Sequence, residues 1–385
     1  MKTVDVVVIG AGQAGLSAAY HLQHRGFVPV TRAAAGDATF VVLDADQGPG
    51  GAWQHRWQSL KMATVNGIHE LPGYAVPEAD PTASSRDVLP AYFDAYERRY
   101  ALDVQRPVRV TSVSRSDAPE ATSAADDARL IVETDTPHPD IPQAANGHSG
   151  AWLANYVINA TGTWTQPFWP HYPGQHTFAG RQLHVHDYVS ADEFAGQRVI
   201  IVGAGISATQ LLEEISWVAD TFWVTRDEPV WVERFSEPDI IASLAEVEQR
   251  ARQGLPSKSV VRVTGMHRTP WIDRADARGV LVRHPLFERI EPGGVRMPDG
   301  SFEPADVILW ATGFRAALGH LAPLRLRTPE GGIRVAEGRS LDQPNLFVIG
   351  YGPSQSTVGA NRAGRDAVRA IVTERGAKTQ TPNTR

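Results

Sequence analysis

The most constraining feature of this chain is a glycine pattern that occurs twice between a strand and a helix. Val4 to Ile9 is a short run rich in β-branched residues, the composition of a parallel strand buried on both faces. Gly10, Gly12 and Gly15 follow at once, and Leu16 to His24 then carries helical spacing that Gly26 stops. The pattern restarts near Arg198. Val199 to Val202 read as a strand, Gly203, Gly205 and Ala208 follow, a helix runs to Trp217, and another strand covers Phe222 to Thr225. Two such units predict an α/β chain with two Rossmann-like dinucleotide-binding domains, the second inserted in the first.

In the first motif Gly10 permits the tight turn, Gly12 lets backbone N–H groups approach a pyrophosphate, and Gly15 allows close packing of helix on strand. The helix N-terminus adds its positive dipole. A second strand is expected at Phe40 to Leu43, and Asp44 at its end can take a ribose hydroxyl. Asp44 lies farther along than the usual spacing, which a surface insertion across Val28 to Thr39 explains. In the second motif Ala208 replaces the third glycine, a variant the fingerprint accepts, and Ser207 is placed at the same site. Its second strand ends in Thr225-Arg226-Asp227. Arg226 can pair with a 2′-phosphate, which favours NADPH with NADH as the alternative donor. The other reading makes Asp227 the ribose acceptor and Arg226 a surface residue.

The chain of 385 residues has room for two to three domains. Its net charge of −6 and lack of a basic run argue against a nucleic-acid partner. No apolar stretch approaches the length of a membrane span, and no signal peptide or anchor is apparent, which points to a cytoplasmic protein without a membrane partner. There is no cysteine, so a redox dithiol or thiolate metal site is excluded. Two dinucleotide sites in one chain imply electron transfer between them, with a flavin as the natural acceptor of nicotinamide hydride. Elsewhere, Asp87 to Tyr100 reads as a helix, and Val108 to Val113, Leu130 to Thr134, Tyr156 to Asn159, Val307 to Trp310 and Leu346 to Ile349 read as strands. Ser114 to Asp127 and Asp135 to Gly150 read as solvated loops, about Asn361 to Thr373 as a helix, and the polar tail after Gly376 as disordered.

Between the glycine motifs lies Phe178-Ala179-Gly180-Arg181-Gln182-Leu183-His184-Val185-His186-Asp187-Tyr188. It matches FxGxxxHxxxY, the fingerprint of the flavin-containing monooxygenases, and the chain resembles the short bacterial members of that family along nearly its whole length. Gly50-Gly51-Ala52-Trp53 matches the family's GGxW segment, which lies against the flavin. Ala160-Thr161-Gly162 and Ala311-Thr312-Gly313 match the two segments that link the domains, and Gly350 to Arg365 looks like the closing flavin contact, where a helix dipole favours negative charge on reduced flavin.

The resemblance implies FAD in the first site and NADPH in the second. NADPH reduces the flavin, dioxygen then forms a flavin peroxide, and a small soft nucleophile such as a sulfide or amine takes one oxygen. Asn66 falls near the family's asparagine beside the flavin, although an ordinary turn asparagine is an equal reading. His184 and Tyr188 are expected to shape the hinge, His184 through a hydrogen bond. His184 and His186 read as a pair on one strand face, without a third ligand at metal-site spacing, so no metal is expected. Trp217, Trp223 and Trp231 read as core or interface residues.

The expected division is 1–165 with 311–385 for FAD and 166–310 for NADPH, in a chain for which a homodimer is the default oligomer. The runner-up activity is Baeyer–Villiger oxygenation of ketones, whose fingerprint usually ends in Trp rather than Tyr188. A dithiol reductase needs the absent cysteines. An NADPH–flavin electron-transfer reductase and a flavin redox sensor are the remaining alternatives.

Overall fold

The computed structural model describes all residues except 66, 117–128, 136–149, 233–236, 257–264 and 381–385. The strand Lys2–Ile9 buries Val4, Val6, Val7, Val8 and Ile9, which requires partners on both edges and packed layers on both faces. It pairs in parallel with Thr39–Leu43 on one edge and Gly150–Asn159 on the other. Leu346–Val348 adds in parallel to Gly150–Asn159, so residues from near the two ends of the chain share one sheet. A hairpin of Arg109–Arg115 and Leu130–Asp135 joins Gly150–Asn159 in antiparallel fashion. The helices Gln13–His24 and Thr357–Gln380 cover one face. They approach so closely that a Cβ on Gly364 would stand 2.8 Å from the Ala18 nitrogen.

The second sheet is parallel throughout, in the order Arg283–Pro285, Asp220–Thr225, Arg198–Val202, Val307–Trp310, Arg181–His184. Register in both sheets decides what meets. Ile9 stands opposite Leu43 and Asn159, and Asn159 opposite Val348. Gly10, Asp44, Ala160 and Gly350 therefore emerge at one sheet edge. In the second sheet Trp310 stands opposite Val202 and His184, so Gly203, Ala311 and the turn after His184 emerge together. Both are carboxyl edges, where open α/β sheets place their ligands.

This is the α/β fold with two Rossmann-type units that the glycine patterns predict. Other details differ. The stretch Val28 to Thr39 is not a simple excursion, because Val28–Pro29 pairs with Thr39–Leu43 at the sheet edge. The last helix extends through Thr357–Gln380, so the start of the polar segment after Gly376 continues it, and residues 381–385 lie outside the described residues. Most of the two segments read as solvated loops lies outside the described residues. Trp223 is buried, but Trp217 is 63% exposed and lies under the Arg278 guanidinium, 3.5 Å from the ring centroid. Among the elements that escaped the reading are the helices Glu237–Arg252 and Pro270–Ala277, the strand Arg283–Pro285, and the antiparallel set Arg289–Glu291, Gly294–Arg296, Phe302–Pro304.

Candidate active site

The glycines of the first motif meet different constraints. Gly10 has φ +97°, and a Cβ there would lie 2.7 Å from the Ala160 carbonyl oxygen. A Cβ on Gly15 would lie 1.9 Å from the Gly10 oxygen, so the helix is pressed against the turn. Gly12 caps the helix Gln13–His24 with φ −78°, and no atom lies within 4 Å of where its Cβ would be. The helix has no acidic residue in its first turn. Its unpaired N–H groups thus face open space beside Gly12, a fit for a pyrophosphate.

Asp44 follows the strand Thr39–Leu43 and is buried. Its Oδ2 accepts from Arg106 Nε at 2.9 Å, while Arg106 clamps Glu97 with two further bonds of 2.6 and 2.7 Å. Burial raises the Asp44 carboxyl above its usual range, and the Arg106 charge opposes that rise. The Asp46 backbone also hydrogen-bonds this carboxylate; sequence reading missed the Arg106 clamp. Gly51 crosses over the cradle, its Cβ position 2.9 Å from Gly12 Cα, and Gly50 packs at 3.0 Å against Pro90. Trp53, half-buried, rests against the core of the first unit.

The second motif repeats the geometry. A Cβ on Gly203 would lie 2.3 Å from the Ala311 oxygen, whereas Gly205, capping Ile206–Ile215, faces open space. Trp223 Nε1 donates to the Gly203 carbonyl at 2.7 Å and pins the turn. Ser207 lies in the first helical turn, and Ala208 is fully buried beneath it. Arg226 is exposed just past the end of Asp220–Thr225. A second cation was missed there: Arg283 on the neighbouring strand donates to the Thr225 hydroxyl and carbonyl.

The two chain crossings are tied together. Phe168 N donates to the Gly313 carbonyl and Ala317 N to the Gly162 carbonyl, both at 2.9 Å, and the Thr161 hydroxyl donates to the Ala317 carbonyl at 2.8 Å. Gly162 and Gly313 each leave open space at the Cβ position, and Gly350 faces Ala14. Tyr188 is buried, and its hydroxyl donates to Glu214 Oε1 at 2.9 Å. Ser59, from the loop after Trp53, donates to the same oxygen at 2.5 Å. Glu214 thus ties the two units together, and it too was missed.

His184 is fully buried. Its Nδ1 accepts from the His186 backbone N–H at 3.1 Å. Nε2 has no hydrogen bond of good geometry, and beside it lies the Gly313 backbone of the second linking segment, whose interaction with the ring favours the protonated form. Burial holds His184 down at about 4, so the ring is neutral. The strand ends at His184 and His186 sits in a 3-10 turn, so the two do not share a strand face. Among the described residues no group of three His, Asp or Glu is arranged to hold a metal. Asn66 lies outside the described residues.

A family model described as pyridine nucleotide-disulphide oxidoreductase matches residues 4–364. The solved flavin-containing monooxygenase from Stenotrophomonas maltophilia is 36% identical with a TM-score of 0.77, covering 97% of this chain and 99% of that one. The chain belongs to the flavin-containing monooxygenase family. Among curated relatives of this monooxygenase, the indole-3-pyruvate monooxygenase YUCCA1 of Oryza sativa is 26% identical over 351 residues, covering 80% of this chain and 76% of the relative. A Baeyer-Villiger monooxygenase from Streptomyces coelicolor is 27% identical over 264 residues, covering 67% of this chain and 44% of its own. The monooxygenase is an oxidoreductase that takes a flavin and a nicotinamide cofactor and acts on a small molecule with oxygen. Having no cysteine, it cannot run the dithiol relay named in the family model. None of the described helices is long and apolar enough to cross a membrane.

Proposed function

We propose that this monooxygenase holds FAD at the first cradle, prefers NADPH to NADH at the second, and oxygenates a sulfide or amine of small size. The supporting observation is the placement of both open cradles, at Gly12 and Gly205, on carboxyl edges joined by the cross-bonded Gly162 and Gly313 segments. In this reading Gly12 and the helix behind it bind the FAD pyrophosphate, Asp44 takes a ribose hydroxyl, and Gly50, Gly51 and Trp53 cover the cofactor. Gly203, Gly205, Ser207 and Ala208 form the nicotinamide cofactor's cradle, and Arg226 pairs with its 2′-phosphate. Bound flavin supplies the hydride-accepting and oxygen-activating chemistry. The chain's own residues bind, orient and exclude water. Neutral His184 and the Tyr188–Glu214–Ser59 link keep the two units in register.

The domain limits belong to the same proposal: 1–165 with 311–385, and 166–310. The strands of the first sheet come from residues 2–159 and 335–348, and those of the second from 181–310, which supports that division. The test is steady-state turnover in air with NADPH or NADH and with a thioether, a tertiary amine and a cyclic ketone. Higher kcat/KM with NADPH and a sulfoxide or N-oxide product are expected. A preference for NADH, or a lactone or ester as the sole product, would contradict the reading.

A further inference from the structure

Arg56 is a half-buried cation without a counter-charge at the place where the two units meet, its Nε buried and the rest of its side chain partly open. It follows the turn Gly51–His55, and its guanidinium lies 5.6 Å from the Trp53 ring centroid and 4.5 Å from that of Trp164. Trp164 follows the first linking segment and stacks on Phe314, which follows the second, at 4.9 Å. His186 of the fingerprint lies 5.0 Å from the same tryptophan. Four separate segments therefore wall one spot.

The Arg56 Nε is buried and makes no hydrogen bond, and no carboxylate among the described residues pairs with the guanidinium. Burial alone draws its affinity for the proton down, to about 10. The nearby histidines differ: His55 is paired with Asp46 at 3.0 Å and His186 with Asp187 at 2.7 Å. A guanidinium whose Nε is buried and unpaired is costly, and a carboxylate is the group whose geometry its donor fork matches. The cofactor phosphates have other partners, at Gly12, Gly205 and Arg226. The aromatic rings beside Arg56 suit an apolar or planar body.

We propose that Arg56 is a specificity-determining residue that anchors the carboxylate of an anionic substrate, whose oxidisable sulfur or nitrogen rides on an apolar body beside Trp164 and Phe314. The oxidisable atom rests on the function proposed above; the anion site stands on the geometry alone.

The test compares holoenzyme with its Arg56→Met and Arg56→Lys variants, using (phenylthio)acetate and methyl phenyl sulfide, two thioethers that differ in the carboxylate. Wild type is expected to favour (phenylthio)acetate in kcat/KM by about tenfold. Arg56→Met should lose about tenfold or more on that substrate, chiefly through KM, and stay within about twofold on the neutral one; Arg56→Lys should recover part of the loss. Equal losses on both substrates, or no loss on either, would overturn the assignment. Benzoate titrated into each protein at fixed ionic strength, followed by the flavin absorbance, supplies a readout independent of turnover. Its Kd should rise about tenfold in Arg56→Met. An unchanged Kd, or no benzoate binding to wild type, would overturn the anion site. Should neither thioether be oxidised while benzoate still discriminates the variants, the proposed oxygenation fails and the anion site stands.

Discussion

Gly12 and Gly15 sit three residues apart in one motif, yet replacing them with alanine should have opposite consequences. Around Gly12 the space is open and the backbone is one alanine tolerates, so Gly12→Ala should unfold within about 0.5 kcal/mol of the flavin-free parent. It should nevertheless purify colourless, because the methyl group occupies the pyrophosphate approach. Gly15→Ala drives a methyl group into the Gly10 carbonyl, and soluble, cooperatively folding protein should not be recovered. The ratio of flavin to protein absorbance and denaturant unfolding check both; a yellow Gly12→Ala would remove the first cradle from the account. At the other cradle, Arg226→Ala should weaken NADPH relative to NADH by about 1–3 kcal/mol. Equilibrium binding of the two dinucleotides measures this, and an unchanged ratio would shift attention to Arg283.

Helices and strands in this chain are held in register by a few long-range polar contacts, of which the one at Glu214 is the most exposed to test. Glu214→Leu removes the acceptor for both Ser59 and Tyr188, and should cost about 1–3 kcal/mol for the buried Tyr188 hydroxyl and less for half-buried Ser59. Flavin content should hold while turnover falls, and Glu214→Gln, which keeps an acceptor oxygen, should recover most of it. Loss of flavin together with turnover would mean that the link supports folding rather than the junction. The two strand–glycine–helix units were legible in the sequence because each is local: β-branched run, turn and amphipathic helix are contiguous. The contacts that complete the site were not. Arg106 reaches Asp44 across 62 residues and Ser59 reaches Glu214 across 155, and neither pair leaves a periodic trace. The three-residue strands between Arg289 and Pro304 are too short for alternation to register, although Asp299-Gly300 marked one of their turns. Arg56 carried no signal at all, since only its surroundings make it unusual.

For the molecule as a whole, stability should depend on keeping the imidazoles of buried His184 and half-buried His320 neutral. His184 and His320 are both held down at about 4 by burial, against about 6.5 when unfolded, and His320 also hydrogen-bonds Asn159 Oδ1 at 2.6 Å. With the folded value depressed, the stabilisation is complete above pH 6.5 or so and is lost as pH falls toward 4, by roughly 3 kcal/mol for each ring. The unfolding midpoint should therefore drop between pH 7 and pH 5, and His320→Gln should flatten that slope. A parallel slope in the variant would assign the acid sensitivity elsewhere. The same architecture exists, on this account, to pass reducing equivalents from a nicotinamide through flavin to oxygen and a small molecule. The most direct measurement is turnover with NADPH and a thioether under oxygen-18 gas, with product and cofactor counted together. One labelled sulfoxide per NADPH consumed is the predicted result; NADPH oxidation that yields only hydrogen peroxide and unaltered thioether would contradict it.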